Sequence, residues 1–291
     1  MKPAAFEYFR PSSLAEALEL LDRRGEEAKC LAGGQSLVPL MNLRLSKPRA
    51  VIDLNRLADL AYIKAHDGGL AIGALTRQRA VETSGLIRER SPLLAEVTPL
   101  IGHFPIRTRG TFGGSLAHAD PAAEYPAAVV ALEGRVRVAS ARGERMIDAE
   151  KFFVTYLTTA LEPTEVLAEV ILPPLPPNTA TAFLELTRRH GDFAIVGVAA
   201  VVTLGEGGSI SRARIALCGV GPTPIRAKRA EAALVGQRPS KKLLAEVGRV
   251  AMDETDPADD LHGSVEYRRE MSAVFTRRTL AVALQRLGVK V

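Results

Sequence analysis

Between residues 173 and 178 the chain reads Pro-Pro-Leu-Pro-Pro-Asn, and no other stretch restricts the fold as strongly. Each proline lacks a backbone N–H and fixes its own φ, so neither a helix nor a central strand can run through four of them. The 291 residues therefore divide into a larger unit, 1–176, and a smaller one, 177–291. Both are long enough to bury a core.

Hydrophobic residues make up 47% of the chain and charged ones 24%, which excludes a disordered polypeptide. The longest apolar runs, such as 194–204, are too short to cross a bilayer, and the N-terminal "MKPAAFEYFRPSSLAEA" lacks the apolar centre of a signal peptide. A cytoplasmic location is expected, with any membrane association made through partners on the inner face. Cys30 and Cys218 are too few for a thiolate cage and read as buried, reduced thiols. The net charge of +5 comes from arginine pairs interleaved with acids, and Trp is absent. That is a solvated surface rather than a nucleic-acid-binding stripe.

Ser13-Leu14-Ala15-Glu16 has capping-box spacing, and Leu14, Leu18 and Leu21 share one helical face up to Gly25. A strand over 29–32, a helix over 37–45 and a strand over 50–55 follow, then a hairpin turning at Asp67-Gly68-Gly69. Helices are expected from about Thr76 and from Ser91-Pro92, with Ser91 as N-cap. Residues 102–120 read as a long glycine-bearing loop that enters a helix over 121–132, capped by Asp120. Strands at "RVRVAS" and "EVLAEVILP" complete the first unit. The second is expected to be a smaller α+β domain: antiparallel strands joined at 205–208, a helix at "RAKRAEAALVG" and a final helix over 264–287.

Two glycine pairs carry the chemical signal. Gly33-Gly34 lies in "LAGGQSLVPLMNLRL" and Gly113-Gly114 in "TFGGS". Glycine reaches backbone angles closed to other residues and lets a ligand touch the peptide itself, and successive N–H groups at such a turn form an anion site without lysine or arginine. One pair alone fits a simple turn as well. Two pairs, each followed by Ser and a helical pattern, point to a large phosphorylated cofactor. A Rossmann fingerprint, a P-loop, a nucleophile elbow and a His-Glu-x-x-His zinc motif are all missing. Of the five histidines only His118 lies in a motif segment.

Five segments, in order along nearly the whole chain, resemble the FAD-binding medium subunit of the molybdenum hydroxylase family, the type found in carbon monoxide dehydrogenase medium chains and in the flavin domain of xanthine dehydrogenase. They are "FEYFRPSSLAEALELL", "LAGGQSLVPLMNLRLSKPRAVIDLN", "IRTRGTFGGSLAHADPAAEYPAA", "RRHGDFAIVGVAA" and "EYRREMSAVFTRRTLAVAL". The resemblance implies an α+β fold: a two-subdomain FAD-binding domain of the vanillyl-alcohol-oxidase (PCMH) type, split near residues 57 and 58, and a C-terminal domain that completes the flavin pocket. By position it implies that Ala32, Gly33, Gly34, Gln35, Ser36 and Leu37, with Thr111, Gly113, Gly114 and Ser115, wrap the FAD diphosphate, mainly through main-chain groups. Ile101 would lie near the isoalloxazine ring, Phe193 would cover one flavin face, and Leu161 and Val166 would line the adenine end. Glu124 would reach the ribityl or diphosphate region, although a carboxylate in a helix's first turn is favourable without any ligand. No catalytic acid, base or nucleophile and no metal ligand is implied for this chain.

The implied role is electron transfer: noncovalent FAD takes electrons from [2Fe-2S] clusters on a small subunit and passes them to an external acceptor. Molybdopterin belongs to a large partner subunit, and the assembly is a dimer of heterotrimers. Relatives often have Asn at the position of Ser115, Asp at that of Glu124 and, in several cases, Lys near that of Glu185. A carboxylate close to the flavin would disfavour its anionic reduced form. Two readings compete: a self-contained flavin oxidase, with His118 beside the cleft as the candidate tether, and a cofactor-free scaffold.

Overall fold

A computed structural model describes residues 1–291. Three larger sheets organise it, beside a two-stranded ribbon of Phe153–Thr155 and Thr158–Thr159, and the chain's two glycine-bearing segments meet where the first two sheets adjoin. Strands Glu7–Phe9, Ala28–Leu31 and Ala50–Asp53 form a parallel sheet with Ala50–Asp53 in the middle. Helix Leu14–Arg24 begins as its spacing predicts, with the Ser13 hydroxyl accepting the Glu16 N–H at 3.2 Å. The reciprocal half of the box differs. Glu16 takes the N–H and hydroxyl of Ser12, at 2.7 and 3.0 Å, in place of the Ser13 N–H.

The second sheet is antiparallel, in the order Ile63–His66, Gly69–Gly73, Val166–Leu172, Arg135–Ser140, Gly143–Asp148. Its first hairpin turns at Asp67-Gly68, both with positive φ (45° and 79°), the geometry that matches strand twist in a two-residue turn. Gly143–Asp148 has no signal in the sequence, because five of its six residues are exposed and no apolar alternation marks them. Pro173 to Asn178 connect this sheet to the next.

The third sheet holds Thr179–Leu186, Val196–Leu204, Ile210–Cys218 and the short Ile225–Arg226, all antiparallel. One face packs on helices Lys228–Leu234, Lys241–Met252 and Val265–Arg286, through residues such as Val198, Val202, Leu244 and Leu280. The other presents Phe183, Ala199, Val201 and Cys218 to helix Glu124–Ala131 in the main core. Covered on both sides, Val196 to Thr203 are all buried and read as a continuous apolar run. Helix Glu124–Ala131 is buried all round for the same reason. No helix is long and apolar enough to cross a membrane.

Several local expectations are corrected. Residues 102–120 are not a long loop: helices Phe104–Arg109 and Phe112–His118 occupy most of it, the second capped by the Thr111 hydroxyl on the Gly114 N–H at 3.1 Å. Gly113-Gly114 therefore lies inside a helix. Asp120 does not cap the following helix, which spans only Glu124–Ala131; its Oδ1 accepts the Ala122 N–H at 2.9 Å and closes a turn upstream. Ser91 precedes helix Pro92–Val97, but its buried hydroxyl caps nothing. Helix Leu37–Asn42 stops short of Leu45 because Arg44 adopts φ +59°. Its N–H bonds Met41 O and that of Leu45 bonds Leu40 O, which together close the helix end.

Candidate functional site

A cleft of about 570 Å³ opens between the first two sheets and the edge of the C-terminal unit. All sixteen residues picked out from the sequence line it: Ala32 to Leu37, Ile101, Thr111, Gly113, Gly114, Ser115, His118, Glu124, Leu161, Val166 and Phe193. Four separate chain segments bring them together. Lys29 is the only lysine or arginine in the lining, so an anion held here must be met by backbone groups.

The two glycine segments provide this unequally. None of the N–H groups of residues 32–37 has an acceptor within the chain. They form a run of six open donors at the cleft wall, and Ser36 leaves the run free because its side chain makes no capping bond. Residues 112–115 differ. Phe112 donates to Thr76 O, Gly113 to Ala74 O, Gly114 to the Thr111 hydroxyl and Ser115 to Thr111 O. The two segments thus differ in how many main-chain donors they keep open. The second segment has its Thr111 N–H and the Ser115 hydroxyl to offer, since bonds to the Thr76 and Ala74 carbonyls, the Thr111 cap and the first helical turn occupy the other amides.

Their glycines also serve a purpose the sequence does not reveal. A Cβ on Gly33 would lie 2.7 Å from Gly110 Cα and closer still to the Arg109 carbonyl, and one on Gly113 would lie 2.5 Å from the Ala74 Cβ. These residues are bare so that two pieces of backbone can touch each other. Only Gly34 is required by conformation, at φ +74°.

A clasp missed in the sequence holds the segments together. Asn55 Nδ2 donates to Ala32 O at 2.8 Å, Arg77 Nη2 donates to Asn55 Oδ1 at 2.6 Å, and Arg77 Nη1 donates to Arg109 O. Only a turn-forming Asn after a buried strand hinted at it.

Electrostatics set the two ends apart. Glu124 is 3% exposed, and burial pushes its carboxyl up to about 7. Burial and the nearby Glu124 push Glu185 up to about 8. Glu185 itself does not line the cleft; it lies behind Glu124, away from the position in which it would face the flavin directly. Burial lowers His118 below its usual range. Burial pushes the Glu165 carboxyl up, but Arg145, which grips it with two bonds of 2.7 Å, brings it below its ordinary value. Phe193 is 58% exposed at the rim, where it also borders a second cavity of about 290 Å³.

Residues 4–175 match the family profile described as the FAD binding domain in molybdopterin dehydrogenase, and residues 181–283 match the CO dehydrogenase flavoprotein C-terminal domain. The chain belongs to the FAD-binding medium subunits of the molybdenum hydroxylase family. It is 45% identical to the 6-hydroxypseudooxynicotine dehydrogenase complex subunit alpha of Paenarthrobacter nicotinovorans, covering 98% of this medium subunit and 97% of that one. It is 40% identical to the caffeine dehydrogenase subunit beta of a Pseudomonas strain, covering 99% and 97%. Among solved structures, carbon monoxide dehydrogenase from Hydrogenophaga pseudoflava superposes with a TM-score of 0.96 at 39% identity, covering 98% of this chain and 99% of that one. The medium subunit is accordingly a flavoprotein component of an oxidoreductase, with an FAD-binding domain followed by a C-terminal domain.

FAD suits the donors of this cleft. Its diphosphate is a dianion, and a run of open amides in a wall with a single lysine is a donor set for such a group.

Proposed function

We propose that this medium subunit is the electron-transfer component of a molybdenum hydroxylase-type dehydrogenase, and that it binds FAD noncovalently in the cleft between its first two sheets. The run of open amides at residues 32–37 carries the reading, because six adjacent donors without intrachain acceptors suit a dianionic ligand. Bound there, FAD supplies one- and two-electron redox chemistry.

The chain's own part is to hold, orient and shield. The amides of residues 32–37 take the diphosphate charge, with the hydroxyl of Ser115 and the N–H of Thr111 facing them from the second segment. Leu161 and Val166 give the adenine an apolar wall, Ile101 and Phe193 flank the isoalloxazine, and Glu124 meets the polar chain between them. Residues 1–176 act as the FAD-binding domain, and residues 177–291 brace it through helix Glu124–Ala131.

Electrons arrive from [2Fe-2S] clusters of a small partner subunit and leave to an external acceptor, while a large molybdopterin-binding subunit performs the hydroxylation. A dimer of such heterotrimers in the cytoplasm is the proposed assembly. The relatives' names carry unlike substrates on one shared fold, which supports a substrate choice made outside this chain. Exposed apolar side chains, among them Leu43, Leu45 and Phe104, supply the kind of surface a subunit contact covers.

The test is a titration of the purified, cofactor-stripped chain with FAD, followed by acid precipitation. Saturable binding with all yellow colour released to the supernatant is expected. A chain that ignores FAD refutes the proposal, and colour retained on the precipitate favours a self-contained oxidase with a tethered flavin.

A further inference from the structure

Two acids, Glu124 in the cleft lining and Glu185 outside it, have no cation to neutralise them. Glu185 pairs across the sheet with Gly197, and Gly197 with Cys218, so the three form one row facing the main core. A Cβ on Gly197 would come within 2.6 Å of the Cys218 sulfur, which shows how tightly the row is closed. Oxygen Oε2 of Glu185 is fully buried without a hydrogen-bond partner. The Glu124 carboxyl accepts no hydrogen bond from any other residue.

The groups around the pair offer no relief. The charge acting on Glu124 is Asp120, on the approach to the helix, and the charge acting on Glu185 is Glu124. Cys218, from the sheet, is itself pushed well up by burial and by these acids. His118, at the end of helix Phe112–His118, has Asp120 as its charged neighbour. The Tyr125 hydroxyl is engaged by Thr98 at 2.9 Å. Arg107 is committed to Glu82 at 3.0 Å and to the carbonyls of Ile101 and Gly102. Buried carboxyls without a cation or donors keep their protons.

We infer that Glu124 and Glu185 form a proton-holding pair in the wall of the FAD cleft, uncharged when the dianionic cofactor binds and weakening its hold when they ionise. The inference rests on the FAD reading above and adds a regulatory variable to it. A protonated Glu124 presents an O–H donor and no charge to the cleft, whereas an ionised one can only accept and repels a dianion. Glu185 acts as a positioning residue, since its own ionisation reaches the cleft through Glu124.

The experiment is FAD titration of the cofactor-stripped chain, followed by flavin fluorescence between pH 6 and 9, on the wild type, Glu185→Gln and the double variant Glu124→Gln with Glu185→Gln. The wild-type Kd is expected to be flat on the acid side and to rise above neutrality by about tenfold per pH unit for each proton required. The rise becomes shallower in Glu185→Gln and disappears in the double variant. Infrared titration of the FAD-free wild type gives a readout independent of both cofactor and variant folding: a protonated-carboxyl band present at pH 6 and lost by pH 9. Binding that is independent of pH, a double variant with the wild-type rise, or no such band overturns the pair. Absence of FAD binding at every pH, with the band present, overturns the cofactor reading instead.

Discussion

Gly33→Ala separates two explanations for a bare backbone at the cleft. If Gly33 is bare for the ligand, a methyl group there weakens FAD and leaves the empty protein untouched. The structure assigns the space to the chain itself, with Gly110 Cα 2.7 Å from the added Cβ, where ordinary contact begins near 3.4 Å. The methyl must gain about 0.7 Å from an atom that belongs to backbone and cannot rotate away. Overpacking of this kind costs about 1–3 kcal/mol. At roughly 2–4 °C per kcal/mol the FAD-free variant should unfold about 2–12 °C below the wild type. FAD affinity falls as well, because the amides of residues 32–37 move away from the second segment. Misplacing one charge-assisted hydrogen bond, worth about 1.5–3 kcal/mol, lowers affinity roughly ten- to 150-fold. Thermal unfolding of the stripped chain and FAD titration measure the two effects. Gly85→Ala, which has no atom within 4 Å of its Cβ, is the control and should change neither. A Gly33→Ala chain that unfolds at the wild-type temperature refutes the packing argument, whatever happens to FAD.

Thr111→Ala removes the cap on Gly114 and should cost about 1 kcal/mol in urea unfolding; an unchanged midpoint would show that the cap is worthless. Asn55→Ala cuts the clasp between Ala32 O and Arg77, and FAD titration should show weaker binding although Asn55 does not line the cleft. The raised carboxyls of Glu124 and Glu185 give stability a sign. Against an ordinary value of 4.5, the folded chain binds the extra protons, so stability falls as pH rises towards 8. His118, depressed from 6.5, opposes this at lower pH, which makes 6.5 to 8 the window to measure. The pair's slope there is at most ~1.4 kcal/mol per pH unit per proton, and urea midpoints of Glu185→Gln should be flatter; a wild-type stability that rises across the window contradicts the assignment. Burial pushes the Cys218 thiol well above its ordinary value, so a thiol reagent at pH 8 should not label it until the chain unfolds, whereas Cys30, expected to be buried as well, is only half-buried and lines the cleft.

The sequence marked elements wherever one local signal sufficed. Ser13 and Gly25 bound the first helix, Asp67-Gly68 turns a hairpin, and the run through Val196 announces a strand buried on both faces. It misled wherever a neighbour distant in the chain decides. The stretch through Gly113-Gly114 reads as a loop because glycine disfavours helices, yet helix Phe112–His118 forms there because only glycine fits against Ala74. Edge strand Gly143–Asp148 left no pattern because its side chains face water.

For the site, the family resemblance singled out sixteen positions, and all of them line one cleft. How those residues work was not readable there. That residues 32–37 keep their amides while 112–115 have used theirs depends on hydrogen bonds to Ala74, Thr76 and Thr111. Glu124 and Glu185, sixty-one positions apart in sequence, become a pair only when the C-terminal sheet packs on helix Glu124–Ala131. Hydrogen-bond satisfaction and burial depend on which surfaces meet, and only the tertiary structure fixes that.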